Sequence, residues 1–209
     1  MEDIAASERL LRDEYGYTRV EVLNTRAMRE RVNSSYYIGG MYSPDSAHLH
    51  PLNYTLGLAA AAEKTGAEIY ENTEAISVSK GKPIEIYTAG NAYLKGIFPQ
   101  LRSRIMPVGT YMIATAPLGR DLAADTIRDS SCVADMNFVL DYYRLSQDDR
   151  MLYGGRVSYS TLEPLSIKAS IGRRMEFVFP QLKNVPLEYA WGGFVAITVN
   201  RFPHFGRTA

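Results

Sequence analysis

At 209 residues and 23.4 kDa the chain can form one large domain or two small ones around a substantial buried core. Its 23 basic and 23 acidic residues cancel without a like-charge run, which argues against a nucleic-acid binder working through a basic face. One cysteine, three histidines, an acidic Met1-Glu2-Asp3 start and no apolar run of spanning length argue against an intrachain disulfide, a zinc cluster, a signal peptide and a membrane span. That leaves a soluble, cytoplasmic protein of mixed α and β structure. Tyrosine is unusually frequent, 15 against 7 Phe and 1 Trp, and its apolar ring with a polar tip suits half-buried sheet faces and ligand pockets alike.

The first predicted element is a charged helix from about Glu2 to Glu14, with Ile4, Leu11 and Tyr15 on one face and Gly16 as its stop. A short strand, Arg19 to Leu23, leads to the cap signal Asn24-Thr25 and a helix from Arg26 to Val32. Ser34 to Tyr42 reads as an aromatic, glycine-interrupted strand or turn, and Ser43 to His50 as a loop. Pro51 then sits where a helix favours its first residue. The helix it opens, to Lys64, is apolar nearly all round, the pattern of a helix buried between layers. Thr65-Gly66 stops it, and Ala67 to Glu71 reads as a following strand, so that an α/β layer is predicted.

From Ile84 the pattern turns to strands: Ile84 to Thr88, Ile105 to Ala116, Phe138 to Leu145, Met151 to Val157 and Glu188 to Val199. Ser146 to Arg150 is a polar hairpin connection. One helix, Ser166 to Phe179, interrupts the series and ends at Pro180. The predicted fold class is α+β, an antiparallel sheet with a helix on one face beside a partial α/β layer. Three regions are expected: residues 1–104, 105–190 and a return strand over 191–209.

Candidate chemistry is sparse. His48 and His50 lie two apart but lack a third and fourth metal ligand nearby, and so read as polar groups organising the loop before Pro51. Gly90-Asn91, after a strand, could let backbone amides approach a phosphate, or simply form a tight turn. Trp191-Gly192-Gly193 places paired glycines inside a strand, where a ligand or another backbone comes close. Asn200 to Gly206 reads as a pocket rim or a surface turn. Cys132 has no cationic neighbour in sequence and reads as inert. No serine, cysteine or paired-carboxylate catalytic set stands out.

Several stretches together carry a resemblance. They are His48-Leu49-His50-Pro51-Leu52-Asn53-Tyr54, Ala89 to Leu94, Pro107 to Tyr111, Asp141-Tyr142-Tyr143-Arg144 with Tyr153-Gly154-Gly155, and Tyr189 to Gly206. In this order the chain resembles gamma-glutamylputrescine oxidases, within the D-amino-acid-oxidase-like FAD-dependent oxidoreductases. The resemblance implies an FAD-binding layer, an antiparallel substrate sheet and oxidation of a small-molecule amine to an aldehyde with release of hydrogen peroxide. It places Ala75 near the adenine, Gly90 and Asn91 at the nucleotide, and Pro203, His204 and Gly206 beside the isoalloxazine. Tyr142, Arg144 and Trp191 are the candidates for the substrate face; Tyr142 and Arg144 also share one side of their strand by alternation.

The chain departs from that family where it has no GxGxxG, the fingerprint whose helix N-terminus holds a pyrophosphate. It is expected to be the middle of such an oxidase, an incomplete FAD-binding layer with weak or absent FAD binding and little turnover alone. A second chain supplying the missing FAD-binding parts is the partner this implies. The alternative is a non-catalytic remnant or interaction module that has lost FAD binding.

Overall fold

A computed structural model describes residues 1–73, 92, 103–159 and 164–202. The elements run α1 (Glu2–Asp13), β1 (Glu21–Asn24), α2 (Thr25–Arg31), β2 (Gly39–Tyr42), α3 (Pro51–Lys64), β3 (Ile105–Thr115) and α4 (Arg120–Thr126). They continue with β4 (Val133–Ala134), β5 (Tyr142–Leu145), β6 (Met151–Ser158), α5 (Ile167–Val178), a 3-10 turn (Pro180–Leu182) and β7 (Leu187–Thr198). The chain divides into two units. The first holds Met1–His50, Met112–Arg156 and Ser166–Trp191; the second holds Pro51–Tyr111, Val157–Leu165 and Gly192–Ala209. This mixture of helices with an antiparallel sheet is the α+β class expected.

In the first unit, local signals start and stop the helices. Glu2 and Asp3 in the first turn of α1 and Arg12 in its last complement the helix dipole. Gly16, at φ +64°, carries the chain away, and the Tyr17 amide donates back to the Leu11 carbonyl at 2.9 Å. The Asn24 side chain caps α2 by accepting from the Ala27 amide at 2.9 Å. β1 and β2 pair antiparallel, Leu23 opposite Gly40.

Five strands are hydrogen-bonded in the order β4-β5-β6-β3-β7, with β5 antiparallel to both of its neighbours, β4 and β6. The β5–β6 hairpin closes through Ser146, whose amide donates to the Arg150 carbonyl at 2.9 Å and whose hydroxyl accepts from the Arg150 amide at 3.0 Å. Tyr143, Met151 and Tyr153 are buried on one face. Tyr143 and Tyr153 stack with centroids 5.4 Å apart, and Phe179, just past α5, meets Tyr143 edge-on at 4.9 Å. Ile171, Met175 and Val178 form the buried stripe of α5. Tyr142, Arg144 and Leu152 are left on the other face.

Three expectations are corrected. Ala67 to Glu71 is no strand: no ladder partner meets it among the described residues, and Glu71-Asn72 forms a turn with Asn72 at φ +53°. Helix α3 has the expected bounds but buries no residue; Leu52, Leu56 and Leu58 are 61%, 59% and 52% exposed. Its leucines and alanines favour a helix on their own account, whereas burial depends on what packs against them. β5 begins at Tyr142 and not at Phe138, because Asp135 gathers the preceding residues into a loop. Its carboxylate accepts from the Asn137 amide at 3.1 Å and the Asp141 amide at 3.0 Å. Helix α4, behind Gly119 at φ +76°, and the two-residue β4 were not anticipated. The predicted strand Ile84 to Thr88 lies outside the described residues.

Candidate functional site

Alternation along β5 sends Tyr143 into the core and leaves Tyr142 and Arg144 on the opposite face. Across the ladder on β6 stand Gly154, opposite Tyr142, and Leu152, opposite Arg144. A Cβ on Gly154 would lie 2.0 Å from Tyr142 Cε2 and 2.4 Å from Cζ, so the ring occupies the space a side chain there would fill.

Tyr142, Arg144 and Leu152 line one side of a groove of about 670 Å³, all of it within the first unit. The segment Met41–His48 and the loop Asp129–Ala134 line the rest, with Met112 between. Cys132 is exposed in this wall.

His48 ties the walls together. Its Nε2 lies 3.1 Å from the Ser130 carbonyl oxygen and its Nδ1 3.3 Å from Arg144 Nη1. A carbonyl can only accept and a guanidinium can only donate, so these two partners together select the neutral imidazole with its proton on Nε2. The carbonyl is presented by a tight turn in which Ser130 adopts φ +56° and Asp129 Oδ1 accepts from the Ser131 amide at 3.1 Å. The other carboxylate oxygen of Asp129 takes Arg31 Nη1. Burial acts to raise the Asp129 carboxyl, but Ser131 and Arg31 together hold it below the usual carboxylate range.

Of the residues expected at a site, the structure brings Tyr142 and Arg144 to one groove. Trp191 stands on β7, 44% exposed, with β6 and β3 between it and β5. Three strand spacings put the two strands about 14 Å apart. Ala75, Gly90, Asn91, Pro203, His204 and Gly206 lie outside the described residues. His48 and Ser130 joined the site only through the fold. Asp129-Ser130-Ser131 is legible as an Asx turn in sequence, but nothing local links it to His48, 82 residues earlier.

The described residues suit an organic substrate better than a dinucleotide. A pyrophosphate needs open amides at a helix start behind a glycine turn. Asn24 and Ser166 occupy the starts of α2 and α5, and Pro51 opens α3 without an N–H. α1 and α4 carry acidic residues in their first turns, which repel an anion. Among the described residues no three His, Cys, Asp or Glu side chains gather to hold a metal, and no helix is long and apolar enough to cross a membrane.

An antiparallel sheet with helices beside it is a fold shared with solved structures of an oxidase and a dehydrogenase. Glycine oxidase from Geobacillus kaustophilus superposes with a TM-score of 0.79 at 18% identity, over 99% of this chain and 58% of that one. L-Proline dehydrogenase from P. horikoshii gives 0.74 at 20% identity, over 100% and 61%. At such identities the likeness concerns the fold.

Sequence relatives are nearer. The gamma-glutamylputrescine oxidoreductase of Escherichia coli (strain K12) is 37% identical over 93% of this chain, and a probable oxidoreductase OrdL of Haemophilus influenzae is 36% identical over 99%. The chain spans about half the length of each, 49% and 51%. The model of the FAD-dependent oxidoreductase family DAO matches residues 1–209, and the chain belongs to that family. The family is FAD-dependent.

Proposed function

We propose that this protein is an FAD-dependent amine oxidase acting on a gamma-glutamylputrescine-like substrate in the cytoplasm. The amine carbon loses two electrons, water replaces nitrogen to give an aldehyde and ammonia, and dioxygen takes the electrons to give hydrogen peroxide. The flavin supplies the two-electron acceptor when bound. In this reading Tyr142 and Arg144 bind and orient the substrate, and Trp191, which does not line their groove, is assigned to a more distant part of the substrate face. Ala75, Gly90, Asn91, Pro203, His204 and Gly206 are assigned to the flavin.

The observation that carries the reading is the groove itself. In a chain of this family, an aromatic ring seated on Gly154 and a guanidinium seated on His48 face one cavity large enough for a small polyamine derivative. The 37% identity to a gamma-glutamylputrescine oxidoreductase supports the choice of substrate. The test is peroxide release by the purified chain after incubation with FAD, on gamma-glutamylputrescine, glycine and L-proline. Release that scales with retained flavin and is fastest on gamma-glutamylputrescine is expected. A flavin-loaded chain that produces no peroxide from any amine overturns the reading, and a chain that takes up no flavin favours the alternative of a module that has lost FAD binding.

A further inference from the structure

Building on the amine-oxidase reading, we propose that Arg31, which does not line the groove, is a positioning residue for the substrate. It clasps the two groove walls from outside and so fixes the support on which His48 rests.

The two walls come from distant parts of the chain, and a short backbone platform starts their union. Val32 bridges Ile127 antiparallel, both of them buried, and the Asn33 and Arg128 amides donate to the Thr126 and Arg31 carbonyls at 3.0 and 2.8 Å. The Arg31 side chain carries the connection further. Its guanidinium carbon lies 3.8 Å from the centroid of the Tyr42 ring, and its Nη1 pairs with Asp129 Oδ2. Tyr42 belongs to one wall and Asp129 to the other. A guanidinium can serve both at once, because its planar face suits a ring while the donors on its edge reach a carboxylate. An ammonium is a point charge with no such face. Glu21, 3.8 Å from Nη2 and mostly exposed, adds little.

From Asp129 the constraint runs through one turn to His48. Oδ1 accepts from the Ser131 amide at 3.1 Å across Ser130, which stands at φ +56°, and the Ser130 carbonyl faces His48 Nε2 at 3.1 Å. A serine at positive φ persists only where its surroundings hold it there. Without Arg31 the Asp129 carboxylate is free to turn, and the Ser130 carbonyl loses its fixed direction. His48 then loses the acceptor that selects its Nε2 proton. A groove whose wall must be ordered by its ligand binds that ligand more weakly than one ordered beforehand.

The experiment compares the purified chain with Arg31→Ala and Arg31→Lys. Imidazole 15N shifts should show His48 protonated on Nε2 alone in wild type and as a mixture of tautomers in Arg31→Ala. A nitroxide on Cys132, the single cysteine and part of the clasped loop, should give a sharper spectrum in Arg31→Ala. Binding of gamma-glutamylethylamide, a gamma-glutamyl amide without a terminal amine, should weaken about fivefold in Arg31→Ala. Arg31→Lys, which keeps the ion pair and loses the stack, should fall between the two in every measurement. If Arg31→Ala does not fold, Asp129→Asn opens the same clasp from the other wall and should give the same changes. An unchanged His48 tautomer and an unchanged nitroxide spectrum overturn the clasp. Equal binding by wild type and Arg31→Ala overturns its role for the substrate. The His48 and nitroxide measurements need neither flavin nor turnover, so they decide the clasp whatever becomes of the oxidase reading. A loop that answers to Arg31 in a chain whose FAD-loaded form releases no peroxide sinks the oxidase reading alone.

Discussion

Gly154 faces Tyr142 across the β5–β6 ladder so closely that its missing Cβ would stand 2.0 Å from the tyrosine Cε2. The ring therefore has its resting place because position 154 has no side chain. Gly154→Ala must move the ring or the strand, and overpacking of this kind costs about 1–3 kcal/mol. Urea unfolding should show that loss, and gamma-glutamylethylamide should bind more weakly as the groove wall shifts. An unchanged unfolding midpoint would mean the ring does not rest there.

Two carboxyls should give opposite pH slopes to stability. Asp141 is buried and accepts from Arg174 Nε at 2.6 Å, yet burial outweighs that partner and holds its carboxyl above the usual range. A raised folded value means that its contribution is full below the unfolded value and is lost as pH rises through the folded one. Asp129 is held low, so its contribution is present above the unfolded value and is lost as pH falls through the folded one. Urea curves from pH 3 to pH 7 should therefore show wild type gaining on Asp141→Asn toward acid, and losing its advantage over Asp129→Asn. The same slope for both pairs would contradict these assignments.

Among the described residues the buried hydroxyls of Tyr37, Tyr143 and Tyr153 lack a well-formed hydrogen bond, although Tyr37 and Tyr143 face each other and Tyr153 faces the Asp141 carboxyl; burial pushes all three phenols upward, so they stay neutral in ordinary buffers. Deleting such a hydroxyl removes a desolvation cost and at most a poorly aligned bond. Tyr143→Phe and Tyr153→Phe are expected to be neutral or to stabilise by up to about 1 kcal/mol in thermal melts. Tyr153→Ala, which empties a stacked core position, should cost about 3–5 kcal/mol. A loss of more than about 1 kcal/mol on Tyr→Phe would show that a buried water bridges the hydroxyl.

Ser166 starts α5 by accepting from the Ala169 amide at 3.2 Å. Ser166→Ala should cost about 1 kcal/mol in urea unfolding, and Ser166→Gly only a few tenths. If the two variants lose equally, the cap is not what holds this end of the helix.

Local chemistry carried much of the fold into the sequence. Pro51 and Thr65-Gly66 bounded α3, Asn24 and Ser166 marked two helix starts, and the polar run Ser146 to Arg150 marked the hairpin; each acts within a few residues of itself. Alternation likewise put Tyr142 and Arg144 on one face of their strand, so half of the groove was legible. The other half was not. His48 meets Arg144 from 96 residues away and Ser130 from 82, and neither partner leaves a mark near the histidine. Exposure of α3, and a run at Ala67 that meets no ladder partner among the described residues, escaped for the same reason. Backbone conformation answers to neighbours in the chain, whereas burial, ladder pairing and the seating of Arg144 on His48 answer to segments that only folding brings together.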